Sequence, residues 1–300
     1  MKCAFAFKPI DIASFFSLNE ISMEDLHENI LPGEGKETPL YVALGSRLRG
    51  VPEVLTIGVK PNFNDYTAEE KDLIFKATLV LYPTYNYAQF LATLGKRFFP
   101  SIETCLYADE KIKQTTLFYM LGLPHPRTRF YYHLHHDDIL WDFHFPFVAK
   151  LPRASAQGRG VFKIENEHQL EQYLRRTPIA YIQEYLPHER DVRVVLINYE
   201  PVVAYWREAK TGSFKTNLYQ GGSVDFRDVP EQAVETAREA ASRCKFDDVG
   251  LDLIPFQGEW YVIEANMEYG RRGLRMKGLD LKNIIREKLL SGELLKRRVR

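Results

Sequence analysis

The chain has 300 residues, 45% of them hydrophobic, and its 40 basic residues are balanced by 40 acidic ones. That length buries a sizeable core and leaves room for two lobes, while zero net charge offers no bulk attraction to nucleic acid or to an anionic membrane. The opening MKCAFAFKPIDIASFF holds only the apolar run Ala4–Phe7 before Lys8, and no later stretch approaches a membrane span, so a cytoplasmic protein is expected.

Residues 1–108 alternate short apolar runs (YVAL, VLTIGV, ATLVLYP) with polar or helical connections such as DYTAEEKDLIFK, which predicts a small N-terminal α/β lobe. LPGEGKETP, residues 31–39, reads as a surface loop. The aromatics of YPTYNYAQF read as packing between lobes. A second unit, 109–300, starts near Asp109 with a helix whose face would carry Ile112, Leu117, Phe118 and Leu121, stopped by Gly122 and Pro124. HLHHDD, residues 133–138, lacks helical histidine pairing and reads as a solvated connection. Another helix follows Asn166, with Leu170, Tyr173 and Leu174 on one face. A third begins near Pro230, with Ala233, Val234, Ala237, Ala240, Ala241 and Cys244 as its buried stripe. Between them run the strands HFPFVAK, AYIQEYL, DVRVVLIN, PVVAYWRE, VGLDLIP and WYVIEAN. Antiparallel strands with helices on one side fit this order better than strict β-α-β alternation, giving an α+β unit. The terminal KRRVR reads as a frayed tail. Cys3, Cys105 and Cys244 are odd in number and form no CxxC pair, which argues against a disulfide framework or a cysteine metal site.

Chemistry concentrates in VGLDLIPFQGEWYVIEAN. Asp252, Glu264 and Asn266 are an oxygen-only set suited to Mg²⁺ or Mn²⁺ and poor for zinc. Glu264 and Asn266 are two apart on a strand and share a face, and Asp252 would reach them if the strands are antiparallel across PFQGE. These residues would equally satisfy one another at a strand end. Lys150 closes the apolar strand FPFVAK and needs an anionic partner if it points inward. The glycine loop QGRG follows, and its backbone N–H groups suit phosphate oxygens or an ordinary hairpin.

Further stretches in the same order are DEKIK, GLPHPRT, IQEYL, DVRVVLIN and VVAYWREAKTGSFKTNLYQGG. Over roughly residues 109–290 the series resembles the ATP-grasp carboxylate–amine ligases, and within them the RimK-like branch that attaches glutamate to a ribosomal protein. The resemblance implies a two-lobed ATP-grasp unit, with 109–190 the smaller ATP lobe and 191–300 the larger metal and substrate lobe. It implies phosphate contacts from Lys111, Lys150, Gln157, Gly158 and Gly160, and adenine contacts around Gln183, Glu184, Tyr185 and Leu186. Asp191, Lys215, Thr216 and Asn217 would face the nucleotide, and Arg193, Arg207 and Lys215 the reacting groups. Asp252, Glu264 and Asn266 match its metal ligands, for two Mg²⁺ or Mn²⁺ ions. The chain departs from the branch at Lys215, where arginine is usual, at MEYG after Asn266, and over the first hundred residues, which show no match.

What the resemblance implies is ATP-dependent amide formation through an acyl phosphate, joining a small-molecule carboxylate to an amine acceptor that is a small molecule, peptide or protein. Arg271 and Arg272, in EYGRRGL, would clamp a second carboxylate and favour an acidic donor such as glutamate. A non-catalytic ATP-binding regulator or scaffold, and a small-molecule kinase on the same fold, are the alternatives. No nucleic-acid or membrane partner is expected, and a homo-oligomer stays open.

Overall fold

A computed structural model describes residues 39–132, 137–153, 160–208 and 223–296, and its elements all belong to the unit Leu40–Arg300. Four short parallel strands come first: β1 (Tyr41–Ala43), β2 (Val54–Thr56), β3 (Leu79–Leu81) and β4 (Phe98–Phe99), in the order β2-β1-β3-β4. YVA and LVL are buried throughout, as strands covered on both faces require. The helix Ala68–Lys76 enters through a reciprocal cap, in which the Thr67 hydroxyl accepts from Glu70 N (3.2 Å) and the Glu70 carboxylate accepts from Thr67 N (2.8 Å). The expected α/β lobe is therefore present from Leu40 onward.

A four-stranded antiparallel sheet follows, ordered β5 (Thr128–Tyr132), β8 (Ile179–Glu184), β6 (Phe147–Lys150), β7 (Val161–Ile164). The helix Glu167–Leu174 packs Leu170 and Tyr173 against it. A five-stranded antiparallel sheet completes the fold, ordered β11 (Ser223–Asp225), β10 (Glu200–Glu208), β9 (Arg190–Ile197), β12 (Asp248–Phe256), β13 (Glu259–Asn266).

Strand periodicity splits the residues of that larger sheet between two cores. Val192, Val194, Leu196, Leu251 and Leu253 face the helix Glu231–Cys244, whose Ala233, Ala237, Ala240, Ala241 and Cys244 are buried as the small-residue stripe predicts. Val195, Ile197, Val203 and Tyr205 face the other way, toward the helix Leu281–Leu290 and the parallel sheet. Asp191, Arg193, Asp248, Gly250 and Asp252 have the parity of this second face. The antiparallel register confirms the predicted return across PFQGE, with Asp252 opposite Glu264 and Gly250 opposite Asn266. A bulge between Asp252 and Leu253 leaves Ile263 outside the regular pairing.

The helix Lys111–Met120 departs from its predicted face. Lys111, Gln114, Thr115 and Phe118 are buried, while Ile112 and Leu117 are only half-buried. Its inner face is polar because it lies against the ends of β8 and β13: the Thr115 and Tyr181 hydroxyls are 2.8 Å apart, and Ala265 N donates to Gln114 Oε1 at 3.4 Å. The YPTYNYAQF aromatics also divide. Tyr87 packs inside the parallel-sheet lobe, Tyr82 reaches toward β12, and Tyr85 and Phe90 are exposed.

Candidate active site

Four charged side chains form a continuous ladder on β9, β10 and β12. Arg207 donates through Nε and Nη2 to the two oxygens of Asp191 (2.6 and 2.8 Å), and its Nη2 also lies 2.8 Å from Asp252 Oδ2. Arg193 grips Asp252 in the same forked manner, at 2.6 Å on each oxygen. Cross-strand register sets this up, pairing Arg207 with Asp191 and Arg193 with Asp252. Asp191, Arg207 and Asp252 are almost wholly buried, and only 12% of the Arg193 side chain meets solvent. Burial alone would raise the Asp252 carboxyl, but the two guanidiniums outweigh it and hold the group below the usual carboxylate value.

At the seam between the two antiparallel sheets, two lysines meet the end of β13. Lys150, the last residue of β6, is 7% exposed, and its ammonium donates to Ile263 O at 3.1 Å, the carbonyl of the bulged residue. Lys111, at the start of its helix, is 6% exposed, with Nζ 3.7 Å from Glu264 Oε1 and 3.6 Å from Asp109 Oδ1. Burial lowers the Lys150 pKa, while the nearby charges of Glu264 and Asp252 act in the opposite sense. Both ammoniums are thus largely dehydrated, and neither has a carboxylate of the described residues at hydrogen-bond distance.

The metal-ligand candidates converge as the sequence predicts, yet they differ in availability. Asn266 donates its amide N–H to Asp252 Oδ2 at 3.2 Å, leaving its amide oxygen unengaged by the described residues. Glu264 accepts no hydrogen bond from them and is 30% exposed. Among the described residues Asp252 Oδ2 takes three donors, whereas Oδ1 takes only Arg193 Nε and keeps a lone pair toward them. Three oxygen types from one strand pair fit a hard divalent cation. Among the described residues no group of three His, Cys, Asp or Glu gathers anywhere as an alternative metal site.

The predicted adenine stretch lies where β8 passes into β9. Gln183 is buried and donates to Thr128 Oγ1 at 2.9 Å. The Glu184 carboxylate accepts Arg127 N at 2.5 Å, so the side chain serves its own sheet. Tyr185 faces the Lys163 ammonium, 4.8 Å from its ring centroid, and Leu186 is buried, its carbonyl 2.7 Å from His188 Nδ1. Gly160 O accepts Leu151 N at 2.7 Å and closes the base of the glycine loop. Gln157, Gly158, Lys215, Thr216, Asn217, His133 to His136, the loop 31–38 and Cys3 lie outside the described residues. Arg271 is half-buried and Arg272 exposed. Their loop crosses the same sheet face as the charge ladder, because a Cβ on Gly273 would fall 2.4 Å from the Tyr205 ring. Tyr205, Gln114 and Thr115 support the site without having been singled out in the sequence. Cys105 and Cys244 are free thiols, each pushed up by burial to about 12.

The model of the RimK-like ATP-grasp domain matches residues 108–289. The chain belongs to the RimK-like ATP-grasp family. A coenzyme gamma-F420-2:alpha-L-glutamate ligase of Methanococcus maripaludis is 29% identical over 210 residues, covering 67% of this chain and 73% of the relative. A ribosomal protein bS6–L-glutamate ligase of Escherichia coli is 32% identical over 143 residues, 45% of this chain and 47% of its own length. The RimK domain ATP-grasp protein of Sphaerobacter thermophilus superposes with a TM-score of 0.62 over 82% of this chain and 98% of that one, at 16% identity. D-alanine–D-alanine ligase of Bacillus anthracis gives 0.59 over 82% and 86%, at 14% identity. These structural likenesses establish the ATP-grasp fold. Family membership makes the chain an ATP-dependent carboxylate–amine ligase, an enzyme that forms carbon–nitrogen bonds.

Proposed function

We propose that this ligase joins glutamate to a carboxylate-bearing peptide or small molecule, using the seam between the antiparallel sheets for ATP. The observation that carries this reading is the pair of buried ammoniums, Lys111 and Lys150, beside Glu264 with no carboxylate of the described residues at hydrogen-bond distance. Buried ammoniums whose charge is only loosely paired, Lys111 at 3.6 and 3.7 Å from its carboxylates and Lys150 held by a carbonyl, are suited to a polyanion such as a triphosphate. The glutamate relatives support the acidic substrate, and the family match beginning at residue 108 supports a catalytic part 109–300 preceded by a separate lobe.

In this mechanism Lys111 and Lys150 hold the phosphates in line with an incoming carboxylate. A carboxylate oxygen attacks the γ-phosphorus and ADP departs, leaving an acyl phosphate. The amine nitrogen then attacks the acyl carbon, loses a proton, and expels phosphate as the amide forms. Arg193, the rung of the ladder that meets solvent, would stabilise the oxyanion between those events. Mg²⁺ held by Glu264, Asn266 and the free lone pair of Asp252 would neutralise phosphate charge when bound.

The test incubates the full chain with ATP, L-glutamate and a carboxylate acceptor fraction from a cell extract. ADP release should require both partners, and mass spectrometry should find an acceptor enlarged by a glutamyl group. A stable phosphate ester would assign a kinase instead, and nucleotide binding without ADP release a regulator.

A further inference from the structure

Side chains along β8 alternate between two environments. Ala180 and Ile182 enter the apolar core of the small sheet with Leu170 and Tyr173, whereas Tyr181 turns to the opposite face, toward Lys150 and the helix Lys111–Met120. Tyr181 is 1% exposed, and its cross-strand neighbours are Phe130 on β5 and Lys150 on β6. The Phe130 ring lies against one side, 5.3 Å between centroids, and the Lys150 ammonium stands 5.5 Å from the tyrosine centroid. The same ammonium donates to Ile263 O across the seam. The Tyr173 hydroxyl ties the two backbones from the core side, accepting from Tyr181 N at 2.9 Å and donating to Lys150 O at 2.7 Å.

The Tyr181 hydroxyl reaches further. It lies 2.8 Å from Thr115 Oγ1, and Gln183 Nε2 donates to it at 3.3 Å while also donating to Thr128 Oγ1 at 2.9 Å. Thr115 is one helical turn beyond Lys111, on the same buried face. Burial pushes the hydroxyl up to about 12, so it stays neutral, and the charges of Glu264 and Lys111 act on it in opposite senses. One side chain therefore touches Lys150 through its ring and the Lys111 helix through its hydroxyl, on the strand that leads into the predicted adenine stretch.

We propose that Tyr181 is a positioning residue for the triphosphate: its ring holds the Lys150 ammonium, its hydroxyl holds the helix carrying Lys111, and together they fix the spacing of the two charges. The inference rests on the reading of the seam as the ATP site. Tyr181 acts through the lysines, because an ammonium already held in place gives up less side-chain freedom when phosphate arrives. Its removal therefore weakens the grip on the phosphates and spares the base, whereas a purely structural role in β8 would disturb the adenine stretch with it.

The experiment titrates the full chain with ATP, and separately with adenosine, in wild type, Tyr181→Leu, Tyr181→Phe, Lys150→Met and Lys111→Met. Two double variants join Tyr181→Leu with Lys150→Met and Tyr181→Phe with Lys111→Met. Tyr181→Leu should weaken ATP binding about tenfold or more, the scale of a dehydrated contact between cation and ring. Tyr181→Phe keeps the ring and should weaken it about fivefold, the scale of one hydrogen bond. Adenosine should bind both as it binds wild type. In each double variant the tyrosine change should cost less than it does alone, since the lysine it positions is gone. Wild-type ATP affinity in Tyr181→Leu, additive losses in the double variants, or an equal loss toward adenosine overturns the positioning role. Should Tyr181→Leu fail to fold, Tyr181→Phe decides, by the same additivity with Lys111→Met. The reading beneath fails differently: ATP affinity unchanged by both Lys150→Met and Lys111→Met takes the triphosphate out of the seam, and the proposal falls with it.

Discussion

Among the described residues Asp252 is gripped by two arginines and Glu264 by none, and this contrast separates their mutational behaviour. Asp252→Asn leaves two buried guanidiniums short of a counter-charge and should cost about 3 kcal/mol or more of stability. Glu264→Gln keeps shape at a half-exposed position and should fold normally, while ADP release falls about a hundredfold or more, the scale of losing a charge-stabilising group. Urea unfolding beside single-turnover ADP release checks both, and a Glu264→Gln protein with normal turnover would remove Glu264 from the proposed metal site. Asp247 gives a pH signature of opposite sense to Asp252. Burial pushes its carboxyl from 3.8 up to about 7, although Ser101 N and the Thr104 hydroxyl donate to it. The folded chain therefore keeps a proton that the unfolded chain releases between 3.8 and about 7, so this group's contribution to stability falls as pH rises through that window and levels off above it. Asp247→Asn should flatten that fall, measured as the difference in unfolding free energy from wild type at pH 5 and pH 8. At this scale the sequence was informative where chemistry is local to a strand pair. Asp252, Glu264 and Asn266 could be read from VGLDLIPFQGEWYVIEAN, whereas the Arg47–Asp248 pair spans 201 residues and leaves no local trace.

Elements were legible where packing is apolar and obscure where it serves the site. The alanines of Glu231–Cys244 recur at helical spacing, so its buried face follows from periodicity. The face of Lys111–Met120 does not, because Lys111, Gln114 and Thr115 turn inward to hold β8 and β13, reversing the rule that apolar residues mark the core. The short helix Arg272–Met276 offers a test at this scale. Gly273 lies against Tyr205, and Tyr205 pairs across strands with Arg193. Gly273→Ala should displace that ring and the guanidinium beside it, lowering stability by about 1–3 kcal/mol and reducing ADP release together with it. Wild-type melting and turnover in Gly273→Ala would show that the loop tolerates a methyl group there and does not position Arg193.

Across the whole molecule the two antiparallel sheets were foreseeable from strand order, while their meeting along Lys150 and Ile263 depends on a bulge that hydropathy does not encode. Lys150→Met should weaken ATP binding about tenfold or more, yet leave the nucleotide-free melting temperature near or above wild type, since it removes a dehydrated charge. Calorimetric titration with ATP beside a melt without nucleotide distinguishes this from a structural ion pair, for which the melt would fall and affinity would hold. Burial lowers the Lys150 pKa, so the folded chain gives up this proton before the unfolded chain does; wild-type stability without nucleotide should rise with pH below the ordinary lysine value of 10.5 and level off above it, and Lys150→Met should lack that rise.

If Lys150 holds phosphate as proposed, the bulged carbonyl at Ile263 also sets what happens between turnovers. The Lys150 ammonium is stripped of water when the chain folds, so a phosphate arriving as proposed would exchange one oxygen partner for another and would not need to dehydrate the lysine itself. When product left, the charge would return to the carbonyl instead of standing bare in the seam. On the proposed mechanism Ile263 O would thus be a parking place for the cation, and the cleft would be pre-organised for each new nucleotide by the backbone of the same strand whose side chains are proposed to hold the metal.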